Sequence, residues 1–150
     1  MLNLSKKILV AIDGSPQSDK AAEEALRLAT ASGKRFRSKV FAMMVLPGSK
    51  SPSFTDFFPS VPATEQADWE EKRKRIFYVV EKAASEAEVP LENVIVYGDP
   101  VEEILDYAEQ EEIDVIVIGS SGKGKVKRAF LGSVSSRVAM QARCSVYIVR

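Results

Sequence analysis

The sequence contains no histidine. That absence removes serine–histidine and cysteine–histidine catalysis, and any metal site built on imidazole. Cysteine is nearly as scarce. Cys144 stands alone, so no disulfide can form within the chain, which suits a reducing compartment. It stands just before the apolar run from Val146 to Val149 and reads as a structural thiol. Net charge is missing too. The 21 lysines and arginines balance 21 aspartates and glutamates, leaving no global basic field to attract nucleic acid or an anionic membrane surface. No apolar run approaches the roughly 20 residues of a membrane span. The opening MLNLSKK is followed only by ILVAI before Asp13, too short for a signal-peptide core. The expectation is a cytoplasmic protein with neither a nucleic-acid nor a membrane partner, built as one domain over residues 1–150.

What is present is an alternation. Residues 7–12 (KILVAI) read as a buried strand, ended by Asp13, Gly14, Ser15 and Pro16. Ser15 and Pro16 form a cap and first turn. Ala21, Ala22, Ala25, Leu26 and Ala29 then recur at helical spacing up to Gly33. Residues 40–46 (VFAMMVL) read as a second strand. The stretch 47–63 holds four prolines and Phe54, Phe57 and Phe58, which breaks both helix and strand and marks an irregular insertion. Its phenylalanines cover either the site mouth, a partner or the domain itself. Residues 65–88 form a long amphipathic helix whose polar face carries EEKRKR. A short strand at 94–97 leads to Asp99, Pro100 and Glu102, a cap, first position and capping partner for the next helix. Residues 113–118 form a fourth strand and residues 145–149 a fifth. Strands alternating with helices call for an α/β fold with a parallel sheet covered on both faces.

The fourth strand leads into Gly119, Ser120, Ser121 and Gly122. Nine residues on come Gly132 and Ser133, then the small-residue helix pattern SVSSRVAMQA. Glycines let backbone approach a phosphate, and a helix start offers free N–H groups to it. On this reading Gly132, Ser133 and Val134 present amides to an anion, and the Ser133 hydroxyl adds a donor.

This spacing, Gly-x-x-Gly-x9-Gly-Ser, resembles the nucleotide motif of the ATP-binding branch of the universal stress protein family. The likeness extends to KILVAIDGSPQSDKAAEEAL, to GDPVEEILDYAEQEEIDVIVIG and to the closing CSVYIVR. The resemblance implies a single-domain Rossmann-like fold with a five-stranded sheet of order 3-2-1-4-5. It implies that Gly119, Gly122, Gly132, Ser133 and Val134 hold the phosphates of ATP, with Ser120 and Ser121 as further phosphate or ribose contacts. With that order the reversal lies between strands 1 and 4, so Asp13 meets Gly119 at the expected crevice. Asp13 is expected to face the ribose or a phosphate-bound Mg²⁺ or Mn²⁺, with Gly14 and Ser15 beside it. The residue near Val40 is expected to meet adenine through its backbone. One of Lys123, Lys125, Lys127 and Arg128 is expected to reach phosphate. Two departures stand out: Arg143, Cys144, Ser145 and Val146 stand where a proline pair is often found, and the second strand reads Phe41, Ala42, Met43 and Met44 where many members carry a histidine.

Nothing supplies an activated nucleophile or in-line general base. There is no GxxxxGK[ST] loop. IDGS lacks the second aspartate of haloacid-dehalogenase phosphatases, and the SGGxDS loop of ATP pyrophosphatases is missing. The implied function is a nucleotide-dependent sensor or regulator in the stress response, with slow ATP hydrolysis at most. A nucleotide-free interaction module of the same fold is the alternative. The last strand would be a sheet edge, and Val146 to Val149 carry no proline or charge to blunt it. A homodimer through that strand is expected, besides an unidentified protein partner.

Overall fold

The computed structural model describes residues 4–46, 48, 63–121 and 131–150. Phe54, Phe57 and Phe58, together with Gly122, Lys123, Lys125, Lys127 and Arg128, lie outside the described residues.

Five strands form one parallel sheet: β1 (Lys7–Ala11), β2 (Lys39–Leu46), β3 (Leu91–Tyr97), β4 (Val115–Gly119) and β5 (Ser145–Val149). Their order is β3-β2-β1-β4-β5, so the implied topology is the one adopted. Ile8 lies between Val40 and Val115, and Val10 between Ala42 and Val117. Four helices cover the sheet among the described residues: α1 (Pro16–Thr30), α2 (Ala63–Ala87), α3 (Pro100–Gln110) and α4 (Ser133–Gln141). None is long and apolar enough to cross a membrane.

Alternation along the strands splits the core into two layers. Ile8, Val10 and Ile12 point to one face, under Ala21, Ala25 and Leu26 of α1 and Phe77 and Val80 of α2. Leu9, Met43, Ile116 and Ile118 point to the other, under Val101 and Ile104 of α3 and Val138 of α4. The alanine stripe of α1 lets that helix lie close over the middle strands. At the end of β4 the approach is tight: a Cβ on Gly119 would come within 3.1 Å of the Gln17 carbonyl oxygen.

Two helices stop in the same way without glycine. Glu88 and Glu112 take positive φ, 53° and 54°. The next residue then bonds back into the helix, Val89 to Ala84 and Ile113 to Ala108, at 2.9 and 2.8 Å. This is the Schellman arrangement, which satisfies otherwise orphaned carbonyls. Val89 and Ile113 are buried as its hydrophobic stop.

That geometry shortens the fourth strand relative to the expected 113–118. Ile113 closes α3 instead, and the ladder begins at Val115. The third strand is longer than expected, starting at Leu91 rather than at residue 94. Glu92 and Asn93, next after Leu91, are polar because β3 is an edge: Glu92 pairs with Lys39 at 2.6 Å, and Asn93 donates to Glu81 at 2.7 Å. Cys144 is half-buried beneath α3 and α4, and desolvation pushes its thiol pKa up.

Candidate functional site

The chain leaves β1 towards one face of the sheet, into α1, and leaves β4 towards the other, into α4. The loops therefore part at the carboxyl ends of these two neighbouring strands. Between them opens a cleft of about 370 Å³, within the range of small-molecule sites.

The Asp13 side of the cleft is a knot of local hydrogen bonds. Asp13 Oδ1 accepts from the Ser15 amide at 2.8 Å. Ser15 caps α1, its Oγ accepting from the Ser18 amide at 3.2 Å. Ser18 Oγ donates to the Ser15 carbonyl and accepts from the Asp13 amide, at 3.0 and 3.2 Å. Gly14 makes this turn possible with φ of 81°, a value most side chains avoid. Asp13 Oδ2 has no hydrogen-bond partner among the described residues. One turn into α1, burial and then the charges of Glu23 and Asp13 push the Asp19 carboxyl above its usual range. The Asp13 carboxylate makes this corner less favourable to an anion than the opposite wall.

That opposite wall is the start of α4. Gly132 is the cap residue and supplies no side-chain bond. The amides of Ser133, Val134 and Ser135 precede the first intrahelical donor, which is Ser136 bonding Gly132 at 3.0 Å. A helix start of this kind carries free donors and a partial positive charge. Ser133 is exposed on the cleft rim and Val134 half-buried. The Gly132 amide behaves differently from expectation. It donates to the Ser120 carbonyl at 2.6 Å, because the chain must close at this point to turn from β4 into α4. It is thus not available to a ligand.

The floor is apolar: Ala11, Met43, Val45, Pro100, Ile104 and Ile118. Asp13, Ser15, Gly119, Ser121, Gly132, Ser133 and Val134 come together around it. Gly14 lies in the turn just behind Asp13. Ser120 lies behind the wall, its amide and carbonyl both engaged. Val40 is not brought to the cleft. It sits fully buried near the start of β2, beside Ile8 and Leu91, about 16 Å along the strand from Val45 at ~3.3 Å per residue.

Met43 and Val45 are the β2 residues that sequence reasoning missed. All strands run parallel, and ligands gather at their carboxyl ends. Applied to β2, that rule singles out Val45. The ladder between β1 and β2 closes with the Ile12 amide donating to the Met43 carbonyl at 2.9 Å. Val45 lies two residues further, so its amide and carbonyl face the same side, where β1 has given way to the Asp13–Ser15 turn.

Among the described residues no three carboxylate or cysteine side chains converge to hold a metal. Asp13 is the one carboxylate in the described lining.

Comparison with known proteins gives a consistent picture. The model of the Universal stress protein family matches residues 5–150. A universal stress protein of Methanocaldococcus jannaschii is 34% identical over 155 residues, covering 99% of this chain and 84% of its own. Among solved structures, the universal stress protein UspA from Lactobacillus plantarum superposes with a TM-score of 0.70 at 28% identity, each chain covered completely. The universal stress protein from Archaeoglobus fulgidus, solved in complex with dAMP, superposes at 0.62 with 19% identity, covering 99% of this chain and 100% of its own.

Proposed function

This chain belongs to the universal stress protein family, and on that premise we propose that it binds an adenine nucleotide, ATP by its motif, as a sensor or regulator of the stress response. The supporting observation is the polarity of the cleft. Amides at the start of α4 with no partner within the helix stand on one wall, Asp13 stands on the other, and apolar side chains lie between them. Phosphates suit the α4 wall, where N–H groups and the helix dipole meet them. Ribose hydroxyls suit Asp13, whose Oδ2 can accept from them. Adenine suits the apolar floor, and the strand-free amide and carbonyl of Val45 match its donor–acceptor edge. Val45 thereby takes the role expected near Val40.

A divalent cation, Mg²⁺ or Mn²⁺, would be held mainly by the phosphates, with Asp13 as the nearest protein carboxylate. Binding without efficient turnover is the proposal, since no lining group among the described residues is set to activate an attacking water. The Archaeoglobus complex illustrates that this fold accommodates an adenine nucleotide. Its likeness to the present chain is one of fold, and the case here stands on the cleft itself.

We also propose a cytoplasmic homodimer. β5 is an edge strand. The Ser120 amide donates to the Val149 carbonyl at 2.7 Å, which turns the backbone of Val146 and Ile148 outward, free to pair with a second copy.

The test is calorimetric titration with Mg-ATP after any bound nucleotide has been stripped. A Cβ at Gly132 would lie 3.2 Å from the Ser120 carbonyl, so Gly132→Val is the control. Micromolar or tighter binding that the variant loses supports the reading. A folded, stripped protein that binds nothing overturns it in favour of an interaction module.

A further inference from the structure

We infer that Ser135 is a positioning residue for the anion end of the cleft, an assignment that rests on the nucleotide reading above. Ser135 is the third residue of α4 and is 2% exposed. A serine there commonly bonds within its own turn, and the Gly132 carbonyl does lie 3.1 Å from its Oγ. A nearer acceptor comes from outside the helix: the Ser120 carbonyl, 2.9 Å away and 15 residues earlier in sequence.

That same oxygen accepts from the Gly132 amide. A carbonyl has two lone pairs, and here both meet donors from the first turn of α4. Ser120 is itself anchored, its amide donating to the Val149 carbonyl in the sheet. The start of α4 is therefore fixed to the sheet edge through one atom, by two hydrogen bonds.

The second bond has a geometric consequence. With the Gly132 bond alone, the first turn could pivot about the Ser120 oxygen. A donor from Ser135, nearly one helical turn further on, blocks that rotation. The intervening amides, Ser133 and Val134, are then held facing the cleft before any ligand arrives. Such preorganisation raises affinity without a new contact. The nearer acceptor of the Ser135 hydroxyl is the Ser120 carbonyl, so its influence reaches the ligand through those amides. Only a ligand with an anionic group should register it.

The experiment titrates the stripped full-length protein and Ser135→Ala with ATP and, separately, with adenosine. Ser135→Thr keeps the hydroxyl and serves as the rescue. The expected result is an ATP Kd raised about tenfold in Ser135→Ala, near wild type in Ser135→Thr, and an adenosine Kd unchanged within about twofold, as one lost hydrogen bond of about 1.4 kcal/mol implies. Should Ser135→Ala not fold, Ser135→Cys carries the test, because it keeps the volume and donates weakly. An unchanged ATP Kd in a folded Ala or Cys variant overturns the inference, as does an equal loss for ATP and adenosine. Wild-type protein that binds no ATP overturns the nucleotide reading first and this assignment with it.

Discussion

Lys7 and Asp114 hold each other twice. The Lys7 amide donates to the Asp114 carboxylate at 2.8 Å, and the Asp114 amide returns a bond to the Lys7 carbonyl at 2.9 Å. This explains an aspartate placed against an apolar strand: it starts the β1–β4 ladder from the edge of the core. Asp114→Ala should remove a charge-assisted bond at an exposed site, costing about 1 kcal/mol. A fall in melting temperature of about 2–4 °C is expected by calorimetry. No change would mean the pairing adds nothing to the sheet.

Glu112 holds a left-handed conformation that costs a side chain about 1 kcal/mol or more. Glycine occupies it freely. Glu112→Gly should therefore stabilise the protein, by about 0.5–1 kcal/mol after the entropy glycine loses on folding. Urea denaturation with an unchanged m-value is the appropriate reading. A lower midpoint would show that the glutamate side chain contributes something at the end of α3.

A methyl group on Gly119 would sit tightly against Gln17, 3.1 Å from its Cβ and from its carbonyl oxygen. Gly119→Ala should push α1 from the sheet at a cost of about 1–3 kcal/mol. Thermal melts of the ligand-free protein separate this from any effect on nucleotide. Unchanged stability would indicate that α1 yields easily.

Tyr107 meets Phe41 edge to face, with ring centroids 6.0 Å apart. Burial, then the charges of Glu92 and Glu111, raise its pKa from 10.0 to about 12. The unfolded chain loses this proton first as pH rises. Stability from the neutral phenol is thus fully present below pH 10.0 and is lost as pH climbs towards about 12. Tyr107→Phe should flatten the decline in that window, seen as a shallower fall of denaturation midpoint with pH. An identical slope would assign the decline to other groups.

Ile148 lies on the proposed dimer edge. Ile148→Lys should shift the protein towards monomer in light scattering, since charge on an edge strand discourages pairing. A variant that stays fully dimeric would place the interface elsewhere.

The layered fold was legible because each strand of KILVAI or VFAMMVL type is bounded by residues that cannot continue it. Strand order was not legible from apolar runs, since Ile8 or Val10 records burial but not its neighbour. The motif resemblance supplied it. Asp13, Gly119 and Gly132 announced themselves by residue type at strand and helix ends. Val45 did not: VFAMMVL is apolar throughout, and the end that reaches the cleft is set by strand direction rather than composition. The Gly132 amide was misjudged for a related reason. Its partner is the distant Ser120 carbonyl, a meeting that only the folded chain creates. Polar Glu92 and Asn93 hid the start of β3, because an edge strand does not need the buried pattern.

The bond between Gly132 and Ser120 means that the chain departs from and returns to the sheet at a single point. Whatever length or composition lies between is grafted onto a closed base. Doubling such a segment costs about 0.6 kcal/mol in closure entropy, little beside the stability of a whole domain. The scaffold is thus modular here. A lineage, or a designer, can change the length of this segment while β4, α4 and the remainder of the architecture stay as they are.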